Sequence, residues 1–181
     1  MKITNFSLAA YITLSSHFCL MSAKRRYHVR KVLLKQLTQE VIERFGEPTA
    51  ELLKGTVEVM ELGESREIIL VGGEALLFRL SAGIFPTLKS LDRIPLKRVV
   101  VDMGAVPHVA NGADVMAPGV VSADEKITLE EGVVIVDERY GKPLAVGQAL
   151  VPGAEMRAPK GKVVKNLHHV GDEMWRFQAK G

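Results

Sequence analysis

The apolar positions of the chain form one long helical stripe followed by many short, strand-like runs. Between residues 29 and 45 they recur at helical spacing, which predicts an amphipathic helix that ends at Gly46. A short second helix is predicted to open at Pro48 and to close at Gly55. From residue 57 onward, β-branched runs alternate with glycine-containing turns, as is typical of strands. This order favours an α+β protein.

The first half of the chain contains three of these strand-like runs. They are predicted over residues 57–62, 68–71 and 75–80. The Gly72-Gly73 dipeptide between the last two predicts a tight hairpin, because the primed turns that join such strands need positive φ. The segment 81–91 is predicted to contain a short helix that begins at Pro86. The segment 92–95 is typical of a boundary.

Short strands also dominate the second half. They are predicted over residues 99–101, 133–136, 143–151 and 163–170, with residues 173–177 pairing back on the last of them. Asp102 is interpreted as the cap of a short helix over residues 104–110 rather than as a catalytic acid. Gly171 and Asp172 predict a hairpin, and Trp175 in the final run is expected in the core. One helix among many short strands favours a small closed or half-closed barrel.

Charge is distributed unevenly along the 181 residues, although the formal net charge is only +3. Residues 24–35 contain six lysines and arginines and no acid, whereas residues 124–138 contain six acids and one lysine. A local basic surface attracts polyanions even when the total charge is modest. The alternative is that both runs are simply solvated faces.

The cysteine and histidine residues give no indication of a metal site. Cys19 is the only cysteine, so no intramolecular disulfide can form, which is typical of a reducing, cytoplasmic environment. His168 and His169 are adjacent and would point to opposite faces of a strand. We therefore expect no metal ion and no cofactor, and we interpret the histidines as surface or RNA-contacting groups.

The first residues are interpreted as an addition to the folded protein. Residues 1–20 weakly resemble a signal peptide, but polar residues interrupt the apolar run, which is too short to span a bilayer. Met21, just before the basic run, would make a natural start. The hypothesis is that residues 1–21 are an N-terminal extension from a misassigned start.

The segment 99–119, VVVDMGAVPHVANGADVMAPG, is the strongest indication of function in the chain. Its residues are too small for a core and too apolar for a linker, and such residues let another backbone approach closely. Exposed backbone beside basic residues suits a phosphate-rich strand. The predicted RNA-binding residues are Lys97, Arg98, Gly104, Ala105, Gly112, Ala113, Met116, Pro118, Lys160, Lys162, Lys165 and His168.

These residues are predicted to make different kinds of contact with RNA. The glycines and alanines would offer backbone N–H groups to phosphates, and the lysines and His168 would bind the adjoining backbone. Met116 and Pro118 would pack on a sugar or base. The alternatives are that the glycines only make tight turns within the barrel, and that Met116 and Pro118 fill it.

Three pieces in order, VVVDMGAVPHVANGADVMAPGV, PLAVGQALV and GK…H…DEMW, resemble the PUA domain over residues 96–178. The front half, with its basic helix, GGEALLF and GIFPTLKSL, resembles the archaeal type of the malignant-T-cell-amplified-sequence family of translation factors, and also the front of ligatin-type initiation factors. The resemblance implies a small α+β pre-PUA domain over residues 22–94 and a PUA β pseudo-barrel over residues 95–181. It also implies binding of tRNA near its acceptor end on the small ribosomal subunit, during initiation or recycling.

A non-enzymatic adaptor is favoured over an enzyme. The front half contains no G-x-G-x-x-G sequence, no phosphate-binding loop and no nucleophile elbow. The expected partners are tRNA or rRNA and the small ribosomal subunit, with no membrane and no small-molecule substrate. The residues predicted to dock on rRNA or on a protein are Arg25, Arg26, His28, Lys31 and Lys35. The alternatives are a ribosome-assembly factor and an RNA-binding subunit that guides a separate modifying enzyme.

Overall fold

A computed structural model describes residues 25–63 and 66–177 of the chain. The predicted extension over residues 1–21 lies outside the described residues. The helices are α1 (Lys31–Phe45), α2 (Glu47–Ala50), α3 (Val106–Ala110) and α4 (Glu173–Arg176). The strands are β1 (Arg26–His28), β2 (Val57–Glu61), β3 (Glu67–Val71), β4 (Glu74–Leu80), β5 (Gly83–Pro86), β6 (Lys97–Val101), β7 (Val115–Met116), β8 (Val120–Ala123), β9 (Gly132–Asp137), β10 (Pro143–Ala149) and β11 (Lys162–His169).

The first sheet is an antiparallel meander in the order β1-β2-β3-β4-β5. Gly72 and Gly73 join β3 to β4 with φ values of 58° and 86°, which confirms the predicted hairpin. Helix α1 buries Leu37 and Val41 in the same cluster as Leu77, and this confirms its predicted apolar face. The front half therefore folds as a sheet covered by one amphipathic helix.

Helix α1 begins two residues later than the pattern predicts, at Lys31 instead of residue 29. Strand β1 pairs with β2 just before it, and Arg30 has an extended backbone with ψ of 154°. His28, which the early helix start at residue 29 would place just before the helix, consequently lies on a strand and not on the helical face of Lys31 and Lys35.

The prediction that Pro86 begins a helix is wrong, because Pro86 is the last residue of strand β5. Phe85 pairs with Phe78 of β4, and both rings are fully buried at 5.6 Å between their centroids. Proline is tolerated here because β5 is an edge strand, where the missing N–H breaks no ladder. The short 3-10 turn Leu88–Ser90 follows two residues later.

The second sheet has the order β7-β11-β10-β9-β6-β8 and forms a nearly closed six-stranded pseudo-barrel. Strands β6 and β9 are parallel, with Val101 opposite Asp137, and the other pairs are antiparallel. Val99, Ile135 and Val164 are fully buried in its interior. The α+β class and the predicted barrel are both confirmed.

Residues 173–176 form the helical turn α4 instead of the predicted strand. Asp172 caps this turn, since its Oδ1 accepts a hydrogen bond of 2.7 Å from the N–H of Trp175. Trp175 is 37% exposed and lies 5.6 Å from the ammonium group of Lys89, so the expectation of a core position is wrong.

One apolar cluster connects the two sheets. It combines Phe78 and Phe85 of the first sheet with Val146 and Met174 of the second half. The ring of His168 on β11 meets Phe78 edge-on at 5.5 Å. The segment 92–95 lies between the last strand of the first sheet and the first strand of the second. The division of the chain into domains stays a prediction.

Candidate nucleic-acid interface

The glycine- and alanine-rich segment leaves the barrel at the end of β6, rejoins it at β7 and continues into β8. Asp102 holds its two ends together: its N–H donates to the carbonyl of Gly119 at 3.0 Å, and its Oδ1 accepts from the N–H of Ala105 at 2.7 Å. Gly104 between them is exposed, and Ala105 is half-buried. Asp102 therefore caps the turn that leads into α3, close to its predicted role.

Gly112 ends α3 in a conformation that only glycine adopts readily. Its φ is +89°, and a Cβ placed there would lie 2.9 Å from Nε2 of His169. Gly112 and its neighbour Ala113 are both exposed. Gly112 therefore makes a tight turn at the surface, and its part in RNA binding stays a prediction.

Three of the four backbone N–H groups that were predicted to donate to phosphates are engaged within the loop. The N–H of Gly112 donates to the carbonyl of Val109, and that of Ala113 donates to His108, each at 3.0 Å. With the N–H of Ala105 on Asp102, three of the predicted phosphate donors have internal acceptors. The segment thus offers close approach rather than a set of free donors.

Two residues that the sequence analysis missed anchor the segment to β11. The side-chain amide of Asn166 donates to the carbonyls of Val109 and Ala113, both at 3.0 Å. The N–H of Asn166 donates to Oδ1 of Asp114 at 2.8 Å. Asparagine is uncommon inside strands, so Asn166 within the predicted strand 163–170 was a signal that the sequence contained.

Asp114 also orients a cation. Its Oδ2 lies 2.6 Å from Nζ of Lys162. Partial burial opposes its ionisation, but the hydrogen bonds from Lys162 and from the N–H of Asn166 outweigh this and lower the pKa of Asp114. Lys165 adds to the same attraction from its place on β11. The carboxylate is therefore ionised, and it holds the Lys162 ammonium group beside the loop.

Several predicted contact residues come together along β7 and β11. Met116 is 50% exposed and lies opposite Lys162 in the strand register. The N–H of Ala117 donates to the carbonyl of Gly161 at 2.8 Å, which places residues 116–118 beside residues 160–162. The exposed members of this group are Met116, Pro118, Lys160, Lys162 and Lys165. With Gly104, Ala105, Gly112 and Ala113 they form what we call the loop–β11 surface.

Two predicted contact residues lie at the other end of β6. Lys97 occupies the first position of this five-residue strand, roughly 13 Å from its last residue. Its ammonium group lies 2.8 Å from a carboxylate oxygen of Glu131. Arg98 is exposed and donates to the carbonyl of Gly141 at 3.3 Å. Neither residue joins the loop–β11 surface.

His168 is not on the surface, because it is 1% exposed. Its Nδ1 lies 2.8 Å from Oδ2 of Asp172, and its ring packs on Phe78. The adjacent His169 points the other way and lies beside Gly112. The predicted opposite orientation of the two histidines is confirmed, but the histidine that reaches the surface is His169.

The basic patch at the start of the described chain is exposed throughout. Its members are Arg25, Arg26, His28, Lys31 and Lys35. Arg26 is paired with both carboxylate oxygens of Glu58, at 3.1 and 2.7 Å, so part of its charge is balanced. Lys31 and Lys35 are one helical turn apart on α1 and share a face.

Within the ranges 25–63 and 66–177, no three His, Cys, Asp or Glu side chains are grouped as metal ligands would be. Over the same ranges, none of the helices is both long enough and apolar enough to cross a membrane.

Known proteins match this chain over most of its length. The model of the PUA domain matches residues 97–171. An uncharacterized protein of Methanocaldococcus jannaschii is 46% identical over 164 residues, which cover 88% of this chain and 100% of that protein. Human malignant T-cell-amplified sequence 2 is 30% identical over 159 residues, which cover 81% of this chain and 88% of that protein. The chain belongs to the PUA-domain family of these proteins.

Solved structures of archaeal PUA-family proteins share both halves of the fold. A hypothetical protein from Pyrococcus horikoshii has a TM-score of 0.70 at 40% identity, and the match covers 83% of this chain and 98% of that one. A PUA-domain protein from Aeropyrum pernix also has a TM-score of 0.70, at 28% identity, with 84% and 89% covered. The loop–β11 surface lies within the matched PUA domain.

Proposed function

We propose that this PUA protein is a non-enzymatic RNA-binding factor of the translation machinery. It binds tRNA near the acceptor end or small-subunit rRNA, during initiation or recycling in the cytoplasm. The PUA domain is an RNA-binding module, and distant relatives are named as translation machinery-associated proteins. The observation that carries the proposal is the exposed, small-residue loop beside the exposed lysines 160, 162 and 165.

The loop and the lysines have different tasks in this proposal. Most of the predicted loop N–H donors are engaged internally, so the main contribution of the loop is steric access for an RNA backbone. The lysines contribute the charge, and a phosphate that approaches Lys162 competes with its ion pair to Asp114. Met116, half exposed opposite Lys162, supplies an apolar contact for a sugar or base.

The role of the lysines in binding phosphates is tested by the salt dependence of tRNA binding, measured by fluorescence anisotropy between 50 and 200 mM salt. If about five phosphates are neutralised, affinity falls roughly 10²- to 10³-fold over this range. Replacing both Lys162 and Lys165 by glutamine weakens binding and reduces the salt slope by about one per lysine. The matched control is Lys54→Gln, an exposed lysine of the first half paired with Glu51. An affinity independent of salt would refute the proposal.

The steric task of the loop is tested at Ala113 rather than at Gly112. Ala113 is exposed, whereas any side chain at Gly112 strains the turn and meets His169. Ala113→Gln is expected to weaken tRNA binding without changing the salt slope or the melting temperature. The control is Ala154→Gln, at an exposed alanine in the 3-10 turn Gly153–Glu155. Equal tRNA affinity of the two variants would contradict the steric role.

The cellular role is tested by gradient sedimentation of the native protein. A translation factor is expected with free small subunits, and the basic patch would dock there on rRNA or protein. Replacing Lys31 and Lys35 by glutamine is expected to reduce this association while leaving tRNA binding intact. Sedimentation with immature large subunits would favour an assembly factor instead, and modification of tRNA nucleosides by the purified protein would refute a non-enzymatic role.

A further inference from the structure

The turn between β9 and β10 presents an aromatic ring to solvent. Tyr140 at its tip is 69% exposed. The guanidinium carbon of Arg139 lies 5.9 Å from the centroid of this ring, and the ammonium nitrogen of Lys142 lies 5.7 Å from it. None of these three residues belongs to the loop–β11 surface, and the sequence analysis assigned none of them a role.

Hydrogen bonds to a buried carboxylate hold the turn that contains Tyr140 in place. Asp137 is 4% exposed, and its two carboxylate oxygens accept hydrogen bonds from the N–H groups of Tyr140 (2.5 Å) and Lys142 (2.8 Å). Gly141 has a φ of +65°, and its carbonyl accepts a hydrogen bond from Arg98. Tyr140 is thus exposed on a fixed support, which reduces the entropy lost when the ring binds a ligand.

The turn between β9 and β10 lies at the same end of the barrel as the small-residue loop. Strands β6 and β9 run parallel, so Val101 and Asp137 lead into their loops side by side. The N–H of Met103 donates to a carboxylate oxygen of Glu138 at 3.0 Å. Met103 is 41% exposed, and it links the turn to the exposed Gly104. Tyr140 therefore lies on a turn that is hydrogen-bonded to the small-residue loop.

We propose that Tyr140 is a stacking platform for an unpaired nucleobase of the bound RNA, an assignment that rests on the proposed RNA-binding function. Bases of a single strand expose faces that stack on aromatic rings, whereas bases inside a duplex do not. Arg139 and Lys142 supply positive charge for the phosphates on either side of that base. Both side chains that lie over the ring are cations, and a strand of phosphates is a partner that such cations attract. The site therefore favours RNA that contains an unpaired segment.

Two RNA probes test this assignment. One is a hairpin with a four-nucleotide 3′ overhang that carries 2-aminopurine, and the other is the same hairpin with a blunt end. Tyr140→Ala is expected to weaken overhang binding by roughly 5- to 150-fold and to leave blunt-hairpin binding unchanged. Tyr140→Phe is expected to bind as the wild type does. The control is Tyr27→Ala, which removes a tyrosine of β1 that is 36% exposed.

The fluorescence of 2-aminopurine reports stacking directly, including in the unaltered protein. Quenching by the wild type and by Tyr140→Phe, but not by Tyr140→Ala, supports the platform. Equal overhang affinity and equal quenching in Tyr140→Ala overturn it. Normal RNA-probe binding by Tyr140→Ala with loss of ribosomal-subunit association also overturns it, because Tyr140 would then contact the subunit and not an unpaired base of the bound RNA. If the wild type binds neither probe, the proposed function itself fails.

Discussion

Asn166 is the residue on which the position of the small-residue loop depends most directly. Its side-chain amide donates to two carbonyls of the loop, those of Val109 and Ala113. The change Asn166→Ala removes both bonds and keeps the backbone N–H that donates to Asp114. We expect the segment from residue 109 to residue 114 to loosen on β11 while the barrel stays folded.

The magnitude follows from these contacts. Each hydrogen bond contributes about 0.5–1.5 kcal/mol net, so two bonds amount to roughly 1–3 kcal/mol. The buried Oδ1 of Asn166 has no hydrogen-bond partner among the described residues, and its removal returns part of this free energy. The expected loss in the free energy of unfolding is therefore about 1–2 kcal/mol, and the melting temperature falls by about 2–8 °C for a protein of this size.

The assay combines urea unfolding with amide hydrogen exchange over the loop. The matched control is Asn111→Ala, because the amide of Asn111 donates to one exposed carbonyl, that of Pro107, at 2.8 Å. We expect that control to lose about 0.5 kcal/mol or less and to keep the protection of residues 109–114. If Asn166→Ala is as stable as Asn111→Ala and the loop amides exchange equally slowly, the anchoring role of Asn166 is refuted.

Three further predictions concern neighbouring residues. Gly112→Ala destabilises the protein by about 1–2 kcal/mol in thermal unfolding, because the residue has positive φ and faces His169. Burial opposes ionisation of Asp172, but the hydrogen bond from its buried histidine partner and those from backbone N–H groups outweigh this and lower its pKa in the folded state. Its ionised carboxylate therefore stabilises the fold above a pH of about 4. The difference in the free energy of unfolding between Asp172→Asn and the wild type is expected to shrink as the pH falls below that value. Asp114→Asn removes the carboxylate beside Lys162, so tRNA affinity at low salt is expected to rise several-fold in anisotropy measurements.

The periodic parts of the fold were accessible from the sequence. The apolar stripe of α1 has a single buried face, and the pair Gly72-Gly73 has a single turn geometry that suits two adjoining strands. Both predictions are confirmed because each pattern had only one way to satisfy its backbone and its apolar surface.

The errors arose where one residue type serves two geometries. Asp172 follows a glycine, which is typical of a hairpin, but aspartate is also a helix cap, and here it caps α4 and accepts a hydrogen bond from His168. Proline can open a helix or end an edge strand, and burial of Phe85 decided the second outcome for Pro86. In both cases a tertiary contact, invisible in a local pattern, chose between two permitted structures.

The candidate site was likewise predictable only in part from the sequence. The small-residue segment was recognisable, but which of two adjacent histidines faces outward depends on the strand register, and a shift of one residue reverses it. The internal hydrogen bonds of Ala105, Gly112 and Ala113 change what the segment can do, because a donor already satisfied has less to offer a phosphate. In the proposed function, affinity for RNA then comes from lysines and from stacking, and the loop determines which strands can approach. Charge and steric access can therefore vary independently in this PUA barrel, and a variant that changes one need not change the other.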